Sequence, residues 1–212
     1  MTAPGVRQPF GRVITDGKGR YYLFCAHVTA RHAVVCLDEN LRLVPEFGDK
    51  GVAPVTFQSP HTRITSISAR GDRVVLAGVI QDYTTEAMEV EAMVFAVLRR
   101  DGRMDTTFSG DGKLVLYEGT AFVSRCELDA HGGLLFTGTA KDKLLLARRM
   151  PDGKPDIAFA QDHYDHRMKA GMLLWDHFEQ HDPTAQPSYI GSDLRLDKQG
   201  RIFVAGTVTS TR

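Results

Sequence analysis

Residues 98–115 read LRRDGRMDTTFSGDGKLV, and this stretch decides the fold prediction because its parts recur along the chain. An apolar segment ends at Leu98, and a turn that contains Asp and Gly follows it. A further Asp and a Phe then come at fixed spacing before the next apolar segment begins. We call this order the tail motif. Its copies are Asp101, Asp105 and Phe108; Asp152, Asp156 and Phe159; and a weaker copy that contains Phe47.

A second pattern, the head motif, alternates with the tail motif. It is a polar turn followed by an apolar run, and its copies read DGKGRYYLFC, ARGDRVVLAG, DAHGGLLFTG and DKQGRIFVAG. Aligned on Arg20, Arg73, Gly133 and Arg201, successive copies are 53, 60 and 68 residues apart. A period of this size is typical of one supersecondary unit that repeats, as in a propeller blade or a solenoid turn. The Asp-Gly turns favour tight hairpins between strands.

Together the two motifs resemble the delta-60 repeat, a bacterial family with β-propeller-like blades. The head pattern of that family matches best at Asp197 to Gly206, and its tail pattern matches best at Leu98 to Gly112. The chain departs from the pattern in its first unit, which has no Asp-Gly tail turn, and in its third, where Gly133 replaces Arg. The resemblance implies blade-like sheets and no common activity, and it carries no catalytic residue over to this chain.

The apolar runs and turns predict an all-β, β-propeller-like array of about four repeats, one incomplete or split between the termini, in a single domain of residues 1–212. Residues 10–14 resemble the end of a unit, and the chain ends with a head. We therefore expect residues 201–208 to share a sheet with residues 10–15 or with the neighbouring strands of the first unit; association of two chains and a longer parent chain are the alternatives. Predicted strands lie near residues 20–27, 32–37, 51–57, 63–69, 73–80, 92–99, 113–117, 122–128, 133–140, 143–149, 189–196 and 201–208.

Residues 160–188 break the β pattern and predict a helical insertion. Asp162 is a candidate cap for this helix, and Pro183 is a candidate stop. The acidic residues 81–91 predict a protruding hairpin loop. On a helix, one apolar arc would hold Tyr164, Met168, Met172, Leu174, Trp175 and Phe178.

Composition narrows the possible partners and compartment. Lys and Arg number 26, as do Asp and Glu, which argues against nucleic acid as the main partner. The first residues have no apolar core of a signal peptide, and no apolar run approaches the roughly 20 residues of a membrane span. We therefore predict a cytoplasmic protein that binds no membrane. Its cysteines, Cys25, Cys36 and Cys126, are interpreted as reduced and buried, with a Cys25–Cys36 disulfide as the alternative.

The paired aspartates have a structural and a chemical interpretation. Asp101 with Asp105, and Asp152 with Asp156, are carboxylate pairs that suit Ca²⁺ or acid–base chemistry. They recur once per unit, however, whereas a catalytic pair is needed once. We therefore assign them to turn stabilisation. The predicted structural repeat positions are Phe47, Phe108, Phe159, Asp101, Asp105, Asp152 and Asp156.

The predicted insertion contains the residues best suited to a binding or metal site. Four of the eight histidines lie there, at positions 163, 166, 177 and 181. Positions 166 and 177 would be about 16 Å apart on a helix, so the four cannot form one metal site. The candidate metal ligands are His177, His181 and Asp182. The candidate partner-binding residues are Trp175, His177, Phe178 and His181, because aromatic side chains anchor many interfaces.

The chain shows no Gly-rich phosphate loop before a helix and no hydrolase motif such as G-x-S-x-G. We therefore favour a non-enzymatic β-propeller-like interaction module that carries no cofactor and is a monomer or a homodimer. Its partner would be a protein, such as a toxin or an assembly component, bound by the insertion and loops. The alternative is a metal-dependent hydrolase with its site at the insertion histidines.

Overall fold

The structure, a computed structural model, describes residues 5–81, 90–117, 121–159, 171–175 and 186–211. Over these ranges the chain forms fourteen β-strands and no helix, so none of the described residues belongs to a membrane-spanning helix. The strands are β1 (Val6–Thr15), β2 (Tyr21–His27), β3 (Arg31–Leu37), β4 (Val52–Val55), β5 (Thr62–Arg70), β6 (Arg73–Gln81), β7 (Val90–Arg99), β8 (Lys113–Leu116), β9 (Phe122–Leu128), β10 (Leu134–Ala140), β11 (Lys143–Arg149), β12 (Met172–Trp175), β13 (Gln186–Leu196) and β14 (Ile202–Thr211).

The strands form three antiparallel four-stranded sheets and one hairpin, each an up-and-down meander. We name them sheet A (β1 to β4), sheet B (β5 to β8), sheet C (β9 to β12) and sheet D (β13 and β14). The first strands of successive sheets contact one another in series, and the structure contains a curled half-barrel sheet. The all-β part of the fold prediction is confirmed, but the predicted β-propeller-like array is not, since the structure shows no closed propeller.

The predicted pairing of the two termini is wrong. Strand β14 pairs with β13, and β1 pairs with β2, so residues 201–208 and 10–15 belong to different sheets. Residues 10–14 are also not the end of a unit. They form part of the long first strand of sheet A, where Ile14 lies opposite Tyr22. The first unit is consequently a complete sheet, as the second and third are.

The predicted helical insertion is also wrong. Residues 172–175, which were placed on a helix, form strand β12 and pair with β11. The cause lies at Gly171, whose carbonyl oxygen accepts the N–H of Arg148 and whose φ is +78°. Gly51 and Gly112 have the same role before β4 and β8, also at positive φ. Of the predicted insertion, residues 186–188 belong to β13, and residues 160–170 and 176–185 lie outside the described residues.

The core lies between successive sheets, which pack face to face. We call the face of a sheet that meets the next sheet its downstream face, and the opposite face its upstream face. Phe47 is fully buried between sheets A and B, and Phe108 is fully buried between sheets B and C. Phe159 is only half-buried, and the neighbouring sheet D has two strands among the described residues. The prediction of equivalent buried sites therefore does not extend to Phe159.

The three cysteines are buried and are not joined by disulfides. Cys25 lies on the upstream face of sheet A, and Cys36 lies on the downstream face, so the two cannot pair. Burial raises the pKa of the Cys36 thiol to about 11 and that of Cys126 to about 12. Neither thiol is therefore ionised near neutral pH, which argues against a nucleophilic role.

Candidate functional site

The tail turns use aspartate to satisfy their own main chain. Asp101 Oδ1 accepts the N–H of Arg103 at 3.0 Å, and Asp152 Oδ1 accepts that of Lys154 at 3.0 Å. Asp156 accepts the main-chain N–H two residues further on at 3.1 Å. The bond from the Lys154 main chain holds the pKa of Asp152 below its usual value. These bonds are Asx turns, which account for the carboxylates without a ligand.

Asp105 has a different surrounding from the other tail aspartates. It is buried, and its carboxylate accepts hydrogen bonds from Arg73 Nε at 2.7 Å and from Arg99 Nε at 3.3 Å. The hydroxyl of Thr107 donates a third bond at 2.6 Å. Burial alone raises the pKa of Asp105, but the bonds from Thr107 and the charge of Arg73 outweigh it, and the pKa lies below its usual value. The carboxylate therefore stays ionised and holds both arginines in place.

The head arginines join one unit to the next. Arg20 donates to the carbonyl oxygen of Arg100 at 2.6 Å, and Arg73 donates to that of Pro151 at 2.9 Å. Arg100 and Pro151 occupy the same position in the tail turns of successive units. The head motif therefore contributes an inter-unit contact in these two units.

The third unit lacks the head arginine because Gly133 replaces it, yet the charge is supplied from another strand. Arg148 on β11 donates to Asp129 Oδ2 at 2.7 Å and lies 3.4 Å from Asp156 Oδ2. Its guanidinium thus joins the head aspartate to the tail aspartate of the same unit. Arg148 therefore supplies the ion pair with the tail aspartate of the third unit, as Arg73 does with Asp105 in the second unit.

Of the predicted partner-binding residues, the structure describes only Trp175. It lies on β12 opposite Leu144, and its side chain is 38% exposed. The other predicted partner-binding residues and metal ligands, namely His177, Phe178, His181 and Asp182, lie outside the described residues. Among the residues that the structure does describe, no group of three or more His, Cys, Asp or Glu side chains is placed to hold a metal ion.

A groove of about 570 Å³ lies between sheets A and B, lined by residues of β2, of β3, of β5 and of the segment that leads into β5. His32 is on its wall, with Nε2 3.1 Å from the carbonyl oxygen of Thr62. Because that carbonyl only accepts, Nε2 carries the proton. Burial, with the charge of Arg31, lowers the pKa of His32, so the imidazole is neutral. The groove therefore presents an aromatic wall, with Phe24 beside the His32 ring.

The inner strands β9 and β13 are joined by a network of ion pairs. Arg195 Nη1 lies 2.6 Å from Glu127 Oε1, and Arg125 Nε lies 3.3 Å from Asp193 Oδ1. The main-chain N–H of Leu196 also donates to Glu127 at 3.3 Å. These charges are satisfied by one another, so they fasten sheet D to sheet C and leave no cation in the network unpaired.

Strand β14 is the unusual feature of the described fold. Sheets A, B and C each end in an outer strand of four residues, whereas β14 has ten residues and pairs on one side only, with β13. It reads IFVAGTVTST, with no charged residue and no proline. Natural sheets usually protect such edges with short strands, charges or proline. The exposed edge of β14 is therefore the best candidate for a functional surface, although sequence analysis did not identify it.

Large apolar side chains are exposed beside this edge. Phe203 and Val208 on β14 are 55% and 47% exposed, and Ile190 on the neighbouring β13 is 36% exposed. Leu144 on β11 lies 3.3 Å from the place where a Cβ at Gly206 of β14 would stand, and Trp175 is the cross-strand neighbour of Leu144 on β12. Aromatic and branched apolar side chains beside an open strand edge are typical of a protein-binding surface.

Comparison with known proteins adds no family assignment, since no protein-family model and no curated protein matches this chain. The functional argument therefore depends on the geometry alone.

Proposed function

We propose that this chain is a non-enzymatic protein-binding scaffold, and that it binds an extended segment of its partner along the open edge of β14. The observation that carries the proposal is a ten-residue uncharged strand whose second side is unpaired among the described residues. An extended peptide satisfies the N–H and C=O groups of such an edge by adding a strand. Main-chain hydrogen bonds then supply affinity, and neighbouring side chains supply specificity.

The other sheets indicate what the added strand should look like. In sheets A, B and C, the strand equivalent to β14 pairs with a third strand on its open side, namely β3, β7 or β11. Strand β7 is apolar from Ala92 to Leu98 and buried on both faces. We therefore expect the partner to donate an uncharged, apolar segment that takes the position of this third strand in sheet D.

The surroundings of the edge support the same proposal. Phe203 and Val208 on β14 and Ile190 on β13 are exposed large apolar side chains beside the open edge. We further propose a cytoplasmic location and membership of the delta-60 repeat family. Three free buried thiols support the location. The family proposal is supported by head and tail turns that take equivalent structures in successive units.

The experiment is a capture of partners from a lysate of the source cells, with proteins identified by mass spectrometry. Tagged wild-type protein is compared with Val208→Lys, which places a charge on the edge of β14. A charge on an edge strand opposes strand addition. Val28→Lys is the matched control, because Val28 is 52% exposed on a distant hairpin turn of sheet A. We expect the partner to be lost with Val208→Lys and retained with Val28→Lys.

Hydrogen exchange then locates the contact. In the complex, the amides of β14 should exchange more slowly than in the isolated protein, since strand addition hydrogen-bonds those that the open edge leaves to water. A partner that binds Val208→Lys as well as wild type, or that protects other segments and leaves β14 unchanged, would contradict the proposal.

A further inference from the structure

The groove between sheets A and B lies at a place that is filled by side chains between sheets B and C. The residues that fill it there are fully buried, and they are Val79, Met93 and Val123. Their counterparts by strand register are only partly buried, and they are Ala26, His32 and Ile64. An alanine and an imidazole thus stand at the groove where the next interface has valine and methionine. The groove is therefore a local opening of an interface that is closed in the following unit.

The sheet A side of the groove is aromatic. The rings of Phe24 and His32 meet edge to face, with their centroids 5.6 Å apart. On its other side the His32 ring lies 5.9 Å from Phe57, which lines a second hollow of about 220 Å³. This hollow shares the residues Arg31 and His32 with the groove. Apolar and aromatic lining in a cleft of this size suits a small organic ligand.

The charged residues that line the groove are cationic. Arg31 and Arg63 are among the lining residues, and no Asp or Glu is, within the part of the chain that the structure describes. Arg31 Nη1 donates to the carbonyl oxygen of Pro60 at 2.8 Å, and Arg63 Nε donates to Gln81 Oε1 at 2.9 Å. Both acceptors are uncharged, so these bonds leave the two positive charges uncompensated. A guanidinium has five N–H donors, and each can therefore also bind an anion.

The backbone of Arg31 supports a role for its side chain. Arg31 is the first residue of β3, directly after the turn that joins β2 to β3, and its φ is +66°. Glycine adopts such a φ without steric cost, whereas other residues do not. Residues held in a strained backbone conformation cluster at ligand-binding sites. Here the strained residue is also a cation that lines the groove.

We propose that this groove binds a small planar aromatic molecule that carries one anionic group, such as an aromatic carboxylate. The ring lies against Phe24 and His32, in the space that Met93 and its neighbours fill between sheets B and C. The anionic group pairs with Arg31. No residue of β14 lines the groove, so the inference is independent of the proposed partner strand.

The test is isothermal titration calorimetry of the purified full chain near neutral pH, with naphthoate as the probe. We expect saturable binding at one site per chain. Naphthamide has the same ring without the charge, and hexanoate has the charge without the ring, so each should bind at least about tenfold more weakly. Naphthoate that shows no saturable binding overturns the proposal. Naphthamide or hexanoate that binds as tightly as naphthoate overturns the assignment of an aromatic anion.

Two variants separate the charge of the site from its space. Arg31→Gln removes the charge and keeps a polar side chain, so naphthoate should bind about tenfold more weakly while naphthamide is unaffected. His32→Met introduces the residue that helps to close the equivalent place between sheets B and C. It should therefore abolish the binding of both probes.

The matched control is Arg42→Gln, because Arg42 is exposed in the tail turn of sheet A and does not line the groove. It has the same net charge as Arg31→Gln and should bind naphthoate as wild type does. Circular dichroism checks that each variant is folded, and Ala26→Val, which introduces the sheet B counterpart, replaces His32→Met if that variant unfolds. Naphthoate binding that neither Arg31→Gln nor the groove-filling variant weakens would place the ligand elsewhere and overturn the proposal.

Discussion

The main-chain N–H of Ser109 donates a 3.0 Å hydrogen bond to the carbonyl oxygen of Asp152, one unit further along the chain. Gly48 makes the same bond to Asp101, at 2.8 Å, one unit earlier. In both cases the donor directly follows the tail Phe. The tail motif is therefore a connector between units, which places its Phe between two sheets and fixes the next turn by a main-chain bond.

The first prediction concerns the tail Phe. Phe108→Ala should reduce the free energy of unfolding by about 3–5 kcal/mol, because it removes a fully buried ring between sheets B and C. Phe159→Ala is the matched variant, and its effect should be smaller because Phe159 is half-buried. Denaturant unfolding measures both. Equal losses for the two variants would show that the burial difference has no energetic consequence.

The second prediction concerns Asp105. Asp105→Asn should cost about 3 kcal/mol, because it leaves the partly buried Arg73 without its anionic partner. The loss should fade at low pH: the pKa of Asp105 is lowered in the folded protein, so its stabilising effect is present near neutrality and disappears as pH falls through that folded value. Asp101→Asn should be nearly neutral, since Asn keeps the oxygen that caps the turn. Denaturant unfolding near neutral and at acidic pH measures the free energies of unfolding of both variants and of wild type. A loss for Asp105→Asn that is the same at both pH values would contradict the prediction.

The third prediction separates strain from crowding at two glycines. Gly102 and Gly110 have φ of +82° and +88°, so alanine is strained by about 1–2 kcal/mol at either position. Gly102→Ala should cost more, because its Cβ would lie 2.6 Å from the main-chain nitrogen of Gly48, whereas nothing lies within 4 Å at Gly110. Thermal midpoints compare the two variants, and a larger loss for Gly110→Ala would refute the assigned inter-unit contact.

The fourth prediction is a pH dependence that comes from His32. Its pKa is lowered in the folded protein, so the unfolded chain binds the proton more readily. Stability should therefore fall as pH drops below about 6.5, the unfolded value, and should level off below the folded value. His32→Gln should flatten this part of the profile. A profile between about pH 8 and about pH 5 that the substitution leaves unchanged would assign the titration to another group.

Much of the fold was predictable because the repeated turns have local causes. The strands of sheets B and C that follow polar turns, such as β6 and β10, were predicted close to their observed bounds. Strand β12 was missed because MLLW is short and its apolar residues also suit a helix. A signal was present in Gly171, which precedes β12 as Gly51 precedes β4 and Gly112 precedes β8.

The candidate surface was less predictable than the fold. The apolar run of β14 indicates a strand, but its letters do not say whether a neighbour covers its second side. The open edge is a property of the sheet order, which places β14 last in a two-stranded sheet. The ion pair of Arg148 with Asp129 could not be predicted either, because it depends on a strand register that the sequence does not specify.

The up-and-down order of the sheets has a consequence for biosynthesis. Each strand of sheet A pairs only with strands adjacent to it in the chain, so the sheet can form as soon as its own residues leave the ribosome. Sheets B and C can then be added in the order of translation, each on a completed surface. Nascent chains should therefore acquire protease resistance stepwise from the amino terminus, with sheet D the last to be protected.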